Sequence, residues 1–408
     1  MRIAIFSYEF PPTGIIGGIA AYASEAAKML VSRGHDVEVF AAGDRKTYVG
    51  VENCLVHRIE CEFRTDFARL ILPVFEHRHL IKPFDVLESP EYAAEAIEVS
   101  RHFPELPLVV KLHTPQFICD QIQALPISFW AKLRFFLGGI RRGKFVFLTR
   151  SPYDPDHDAE AQLARMANAI AAPSHDIAKV VGNAWNLSQS RTMVFPYPYV
   201  PASRLTDLQP ARHVRTIGFV GRLELRKGVL ELAQEIPSVL RKHPDVRFRL
   251  IGPHSMVGKK DIRQMIRKKL GRFSDQVEFV GPVSRENIPD MLGACDAIVL
   301  PSRWGNFPFA CWEAMAAARV IIASRHGGMP DVIRDRVDGL LVDPFCPGEI
   351  SEAILDVLEA RVDSSSMALS ARRRVSSLLA PEKVYEQQMA CYESAIRHHV
   401  STHKRPET

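Results

Sequence analysis

Pro301-Ser302-Arg303-Trp304-Gly305-Asn306-Phe307-Pro308-Phe309-Ala310-Cys311-Trp312-Glu313-Ala314-Met315 is the stretch on which the reading of this chain turns. The apolar run Ala297-Ile298-Val299-Leu300 stops at Pro301, as a buried strand would. A Gly/Asn/Pro loop follows, then a helix with Glu313 in an early turn. Loop N–H groups at the carboxyl end of a strand face a ligand crevice. A carboxylate there can accept two hydrogen bonds from ring hydroxyls.

The same strand–loop–helix pattern recurs on both sides. Residues 217–220, 248–251, 277–280, 320–323 and 339–342 read as further strands, with helices over 230–240 and 261–270. Upstream, 3–6, 37–41, 85–87, 108–112 and 169–172 read as strands. A helix over 19–33 carries Ile19, Ala23, Ala26, Ala27 and Leu30 on one face and closes at Gly34. Such alternation marks βαβ units around parallel sheets. Pro196, Pro198, Pro201 and Pro210 interrupt it. The expected architecture is therefore α/β, with two Rossmann-like doubly wound domains over 1–195 and 215–380 and a linker over 196–214. A final amphipathic helix is expected over 381–400, opened by Pro381.

Bulk properties narrow the function. The chain has 408 residues, room for about two or three domains at ~150 residues each. Hydrophobic content of 47% with 24% charged residues argues against disorder. The net charge is +5, and the basic residues read as spread along the chain rather than gathered in one nucleic-acid-binding stripe. The excess suits an anionic small ligand or an acidic membrane surface. Seven cysteines without C-x-x-C spacing disfavour zinc and disulfides, and point to reduced thiols in the cytoplasm. No signal peptide and no stretch of ~18 apolar residues is expected.

Five constellations carry chemistry. Gly17-Gly18 precedes the first helix, where free N–H groups and a partial positive charge suit a diphosphate. The spacing is not G-x-G-x-x-G, which disfavours NAD. Gly221-Arg222 with Lys227-Gly228 follows the first strand of the second domain, where two cations would neutralise a departing diphosphate. His113 ends a strand and either bonds a sugar hydroxyl or a backbone carbonyl. Gly327-Gly328 reads as an anion-facing helix start or a tight turn. The segment 129–137, with basic residues at 141–144, reads as a membrane-interface segment or as a core helix with a solvated face.

In this order these motifs resemble the retaining glycosyltransferases of family 4, which have the GT-B fold of two domains facing across a cleft. The likeness also includes Ala172-Pro173-Ser174, Pro301-Ser302 and Glu313-Ala314-Met315. It implies that a nucleoside-diphosphate sugar is the donor substrate, with no cofactor and no metal. Arg222 and Lys227 would hold the diphosphate, and Glu313 the ribose. Asn306, Phe307 and Pro308 would lie beside the sugar, Gly17 and Gly18 would close on the diphosphate, and His113 would face the transferred hexose. The last helix would pack back on the first domain. A glycan or lipid-linked hydroxyl would be the acceptor, with peripheral contact to the inner face of the cell membrane through 129–144. Two departures stand out. The family's Glu-x7-Glu pair would begin at 305, where Gly305 stands, leaving Asn306 as a partial stand-in. Tyr197-Pro198 replaces Asn-Gly, from which only a changed turn is expected. Gly305 also raises a second reading, a nucleotide-sugar-binding protein with lost turnover. Epimerisation ranks last, since Glu313 alone is too little acid/base chemistry.

Overall fold

The computed structural model describes residues 1–12, 17–44, 46–50, 54–123 and 153–403. The 129–144 segment lies outside the described residues.

The first sheet has eight strands: β1 (Arg2–Phe6), β2 (Asp36–Ala42), β3 (Lys46–Val49), β4 (Leu55–Ile59), β5 (Val86–Pro90), β6 (Leu108–Lys111), β7 (Ala169–Ala172) and β8 (Thr192–Val194). Their order is β3-β4-β2-β1-β5-β6-β7-β8, parallel except for the β3/β4 pair. The second sheet contains β9 (Thr216–Val220), β10 (Arg247–Ile251), β13 (Val277–Gly281), β14 (Ala297–Leu300), β15 (Val320–Ser324) and β16 (Leu340–Val342). A hairpin of β11 (Met256–Val257) and β12 (Lys260–Asp261) stands apart from it. The second sheet runs β13-β10-β9-β14-β15-β16, the doubly wound order, and it is parallel throughout. The order reverses between β1 and β5 in one sheet and between β9 and β14 in the other. Ligand crevices open at such reversals.

The strands form because their residues suit a two-sided interior. β1 is buried throughout, as are β14 and β15. Helix Gly18–Ser32 packs on the first sheet against β2, and its small residues Ala20, Ala23, Ala26 and Ala27 are all buried. β3, β4 and β8 were not expected from the sequence. β4 hides its strand character behind His57 and Arg58, both buried. His57 is buried because its Nε2–H donates to Glu38 on β2 at 2.7 Å, and Arg2 and Arg78 bond the same carboxylate. A buried charge is tolerated only with such partners.

Helix Pro381–His403 lies across β5, β6 and β7 of the first sheet. Its anchor is polar. The Tyr392 hydroxyl and the Gln388 amide both donate to Glu88 Oε2, the former at 2.8 Å. Tyr22, on helix Gly18–Ser32, donates to Glu88 Oε1 at 2.8 Å. Lys111 sits beside them, over the Phe195 ring at 3.7 Å. Removing Glu88 would take the acceptor from the Tyr392 hydroxyl, leave Tyr22 only Gln388 Oε1 at 3.4 Å and Gln388 only the Tyr392 hydroxyl, and strip Lys111 of the carboxylate that offsets its buried charge. Glu88→Ala should therefore lower the unfolding free energy by about 3–5 kcal/mol. Urea denaturation checks this, and a loss near zero would contradict it.

Candidate active site

Each lobe contributes the loops that follow its strands. After β9 the chain turns at Gly228, which adopts φ +70°. A Cβ there would lie 1.7 Å from the Pro301 carbonyl oxygen. Only glycine fits, and the contact presses the 222–228 loop against the end of β14. The 305–308 loop is seated in the same way. The Gly328 N–H donates to Gly305 O at 2.9 Å, and a Cβ on Gly328 would lie 1.8 Å from Asn306 O.

These contacts shape one cleft of about 440 Å³ between the lobes. Gly17, Gly18, His113, Arg222, Lys227, Asn306, Phe307 and Pro308 all line it, together with Gly305. Three expected residues do not. Gly327 and Gly328 lie behind the 305–308 loop and support it. Glu313 is half-buried on helix Phe309–Ala316, and among the described residues its carboxylate has no hydrogen-bond or ion-pair partner. Burial pushes its pKa up, opposed by Arg285.

The second lobe supplies the free positive charge. The Arg222 side chain is 53% exposed and only 4.0 Å from Glu224 at its nearest approach. Arg226 is tied more closely to Glu224, at 2.9 Å. Lys227 is pushed down to about 7, chiefly by desolvation and then by the Arg226 guanidinium, with Glu224 opposing. An ammonium so placed gains from an arriving anion, which restores its proton.

The first lobe carries its own anion. Glu9 Oε2 accepts the Gly17 N–H at 3.1 Å, at the start of helix Gly18–Ser32. Glu9 Oε1 meets Arg64 at 3.3 Å. Arg64 in turn donates twice to Oε1 of buried Glu95, at 2.6 and 3.0 Å, and lies close to the Tyr8 and Tyr92 rings. A diphosphate reaching Gly17 must share or displace the Glu9 carboxylate. Glu9, Arg64 and Tyr92 line the cleft and were not picked out from sequence. Arg64 and Glu95 are 31 residues apart, so no local spacing signals the pair.

His113 is buried, and three contacts orient it. Its backbone N–H donates to Glu91 at 2.7 Å. Its carbonyl accepts from Asn306 Nδ2, and its Nδ1 lies 2.7 Å from the Tyr197 hydroxyl. That hydroxyl also lies 2.9 Å from Leu112 O. A carbonyl only accepts, so the tyrosine proton points to Leu112. The hydroxyl oxygen then accepts from Nδ1–H, leaving His113 Nε2 bare. Burial holds the ring neutral, helped by the Lys111 and Arg64 charges. His113 thus offers the cleft a hydrogen-bond acceptor.

Two expectations need correction here. Tyr197 is more than a changed turn: it lines the cleft and sets the tautomer of His113. Its position alone, in a proline-rich linker, concealed this. Asn306 is not a free amide beside Gly305. Its Nδ2 bonds His113 O and its Oδ1 accepts from Ser174 Oγ at 3.3 Å, both in the first lobe. Its side chain pins the lobes together, alongside Trp304 to Asp176 at 2.5 Å and His175 to Asp331 at 2.7 Å.

Residues 16–199 match the family described as Glycosyltransferase Family 4, and 214–360 match Glycosyl transferases group 1. The chain is a glycosyltransferase of the GT-B type. It carries a Glycosyltransferase Family 4 domain as its first lobe and a Glycosyl transferases group 1 domain as its second. It is 28% identical over 406 residues to D-inositol 3-phosphate glycosyltransferase of Corynebacterium diphtheriae, covering 91% of this chain and 90% of that one. It is 23% identical over 372 residues to an uncharacterized glycosyltransferase of Methanocaldococcus jannaschii, covering 88% and 89%. Among solved structures it is similar to sucrose-phosphate synthase of Thermosynechococcus elongatus, with TM-score 0.72, 18% identity, and 97% and 99% of the two chains covered. Anabaena Alr3699/HepE in complex with UDP-glucose gives TM-score 0.67 at 18% identity, covering 97% and 100%. At these identities the structures speak for the fold.

The tautomer is open to measurement. With ¹⁵N-labelled histidine, His113 should show a protonated Nδ1 and a bare Nε2, assigned by loss of its signals in His113→Asn. Tyr197→Phe should shift both signals towards a tautomer mixture. A wild-type spectrum with the proton on Nε2 would contradict the assignment.

Proposed function

We propose that the enzyme moves a hexose-type sugar from a nucleoside-diphosphate sugar to a hydroxyl of a glycan or lipid-linked acceptor, with retention and without a metal. One observation carries this reading: Arg222 and Lys227 share a cleft with the Gly17-Gly18 helix start and with His113. The UDP-glucose complex of a protein with the same fold supports a nucleotide-sugar donor.

In this mechanism the two cations take the charge that develops on the leaving diphosphate. Gly18 and the helix behind it close from the other lobe. His113 Nε2 accepts a hydrogen bond from a sugar hydroxyl. Glu313, outside the cleft, takes the nucleoside ribose. The acceptor hydroxyl attacks on the face the diphosphate leaves, and a diphosphate oxygen takes its proton. The cleft's carboxylates favour this over a covalent intermediate. Glu9 is held by Gly17 and Arg64, and Glu224 by Arg226, so neither stands ready as a nucleophile.

The alternative, donor binding without turnover, rests on Gly305. The backbone there accepts a Cβ, which would meet nothing nearer than Met329 Cε at 3.5 Å. Gly305→Glu should therefore fold. A binding-only protein would gain turnover from it, whereas an active enzyme would mainly change its sugar preference.

Turnover is tested first with Arg222→Ala. It should lower kcat/KM by about 10²–10³, equivalent to ~2.7–4 kcal/mol of transition-state stabilisation. Unchanged kcat/KM would remove Arg222 from the reaction. NMR of the first-formed product should show the donor's anomeric configuration, and an inverted anomer would end the retaining assignment. Turnover abolished by a chelator would end metal independence.

A further inference from the structure

The positive charge of this chain is not spread along it, as the sequence first suggests. Residues 259–272 hold seven lysines and arginines against a single carboxylate, Asp261, a net +6. The whole chain is +5, so everything else sums to −1. The structure gathers these cations on hairpin β11–β12 and helix Ile262–Leu270.

The helix is one-sided. Ile262, Ile266 and Leu270 are buried, packed towards helix Val229–Lys242. Lys268 is exposed on the opposite side, Arg267 and Lys269 are exposed at its flanks, Lys269 bonding Gln234 of that helix at 2.9 Å, and Lys259 and Lys260 are exposed on the hairpin. Asp261 is taken by Arg263 at 2.6 Å. Among the described residues, Lys259, Lys260 and Lys268 have no carboxylate partner. Beside them Met256 projects a large apolar side chain that is 59% exposed.

The face does not line the cleft, but its base is tied to the loop that carries Arg222. The Leu223 N–H donates to Pro253 O at 2.7 Å, and the Ser255 N–H donates to Leu223 O at 3.0 Å. The hairpin therefore leaves the second lobe next to Leu223, the chain neighbour of Arg222.

We propose that this face is a docking surface for an anionic lipid bilayer. Clustered cations next to a surface are drawn to acidic headgroups, and long lysine stems let the charges reach them. Met256 supplies an apolar contact at the interface, which a dissolved polyanion would not reward. Docked this way, the enzyme holds its cleft rim at the headgroups, where a lipid-linked hydroxyl would be presented. The attraction is electrostatic, so it weakens as salt shortens the Debye length, ~8 Å at physiological ionic strength. The inference stands apart from the transfer reaction, because membrane attachment is read without any sugar present.

Co-sedimentation with vesicles tests it. The full-length protein should pellet with mixed phosphatidylcholine–phosphatidylglycerol vesicles, not with phosphatidylcholine alone, and should be released by salt. Lys259→Glu/Lys260→Glu/Lys268→Glu should reduce partitioning at least about tenfold. A charge-matched control, Arg212→Glu/Lys383→Glu/Arg397→Glu, changes exposed positions elsewhere and should still bind. Met256→Asp, a single exposed change, should weaken binding with an unaltered melting temperature. The proposal is overturned if wild type ignores anionic vesicles, or if the patch variant binds like wild type. It is equally overturned if both triple variants lose binding alike, or if wild type binds a soluble acidic polysaccharide but not vesicles.

Discussion

Backbone pressed against backbone at the carboxyl end of the second sheet is the constraint on which the site depends. Gly228 lies against the Pro301 carbonyl, and Gly327-Gly328 lies against Gly305-Asn306. No side chain fits at those contacts, so the loops carrying Arg222, Lys227 and Asn306 have little freedom to drift. Preorganisation of this kind is what lets fixed charges act on a developing negative charge. Holding the cations there costs desolvation first and mutual repulsion second, and both show as the depressed proton affinity of Lys227.

The first lobe answers with a different arrangement. Its buried groups are chained from the last helix to the cleft. Gln388 and Tyr392 hold Glu88, Glu88 holds Tyr22, and Tyr22 packs on the His113 and Tyr197 rings at 5.3 and 4.7 Å. The final helix of the chain thus buttresses a residue that faces the ligand space. Across the cleft, Asn306 closes on the His113 carbonyl, so the bare nitrogen of that ring is set by contacts from both lobes.

Much of the fold is legible in sequence because parallel strands buried on both faces read as unbroken apolar runs. β1, β14 and β15 are of this kind. β4 is not, since His57 and Arg58 are buried by partners remote in the chain. The same rule governs the site. Residues at strand ends beside glycines, such as Arg222, Lys227 and His113, are visible from local pattern. Tyr197, Glu9 and Arg64 are not, because what matters about each is a partner 84, 8 or 31 residues away. The basic face at 259–272 was readable in sequence, but only as a local charge sum, and its exposure required the fold.

The central claim is that Lys227 and Arg222 receive a diphosphate, and the pH dependence of that binding tests it most directly. Lys227 is charged below its pKa of about 7 and neutral above it. Nucleoside-diphosphate affinity, measured by calorimetry for wild type relative to Lys227→Arg, should therefore fall as pH rises through 7. The arginine stays protonated throughout and divides out the ligand's own ionisation. A ratio that stays flat from pH 6 to 9 would mean that the lysine does not meet the diphosphate.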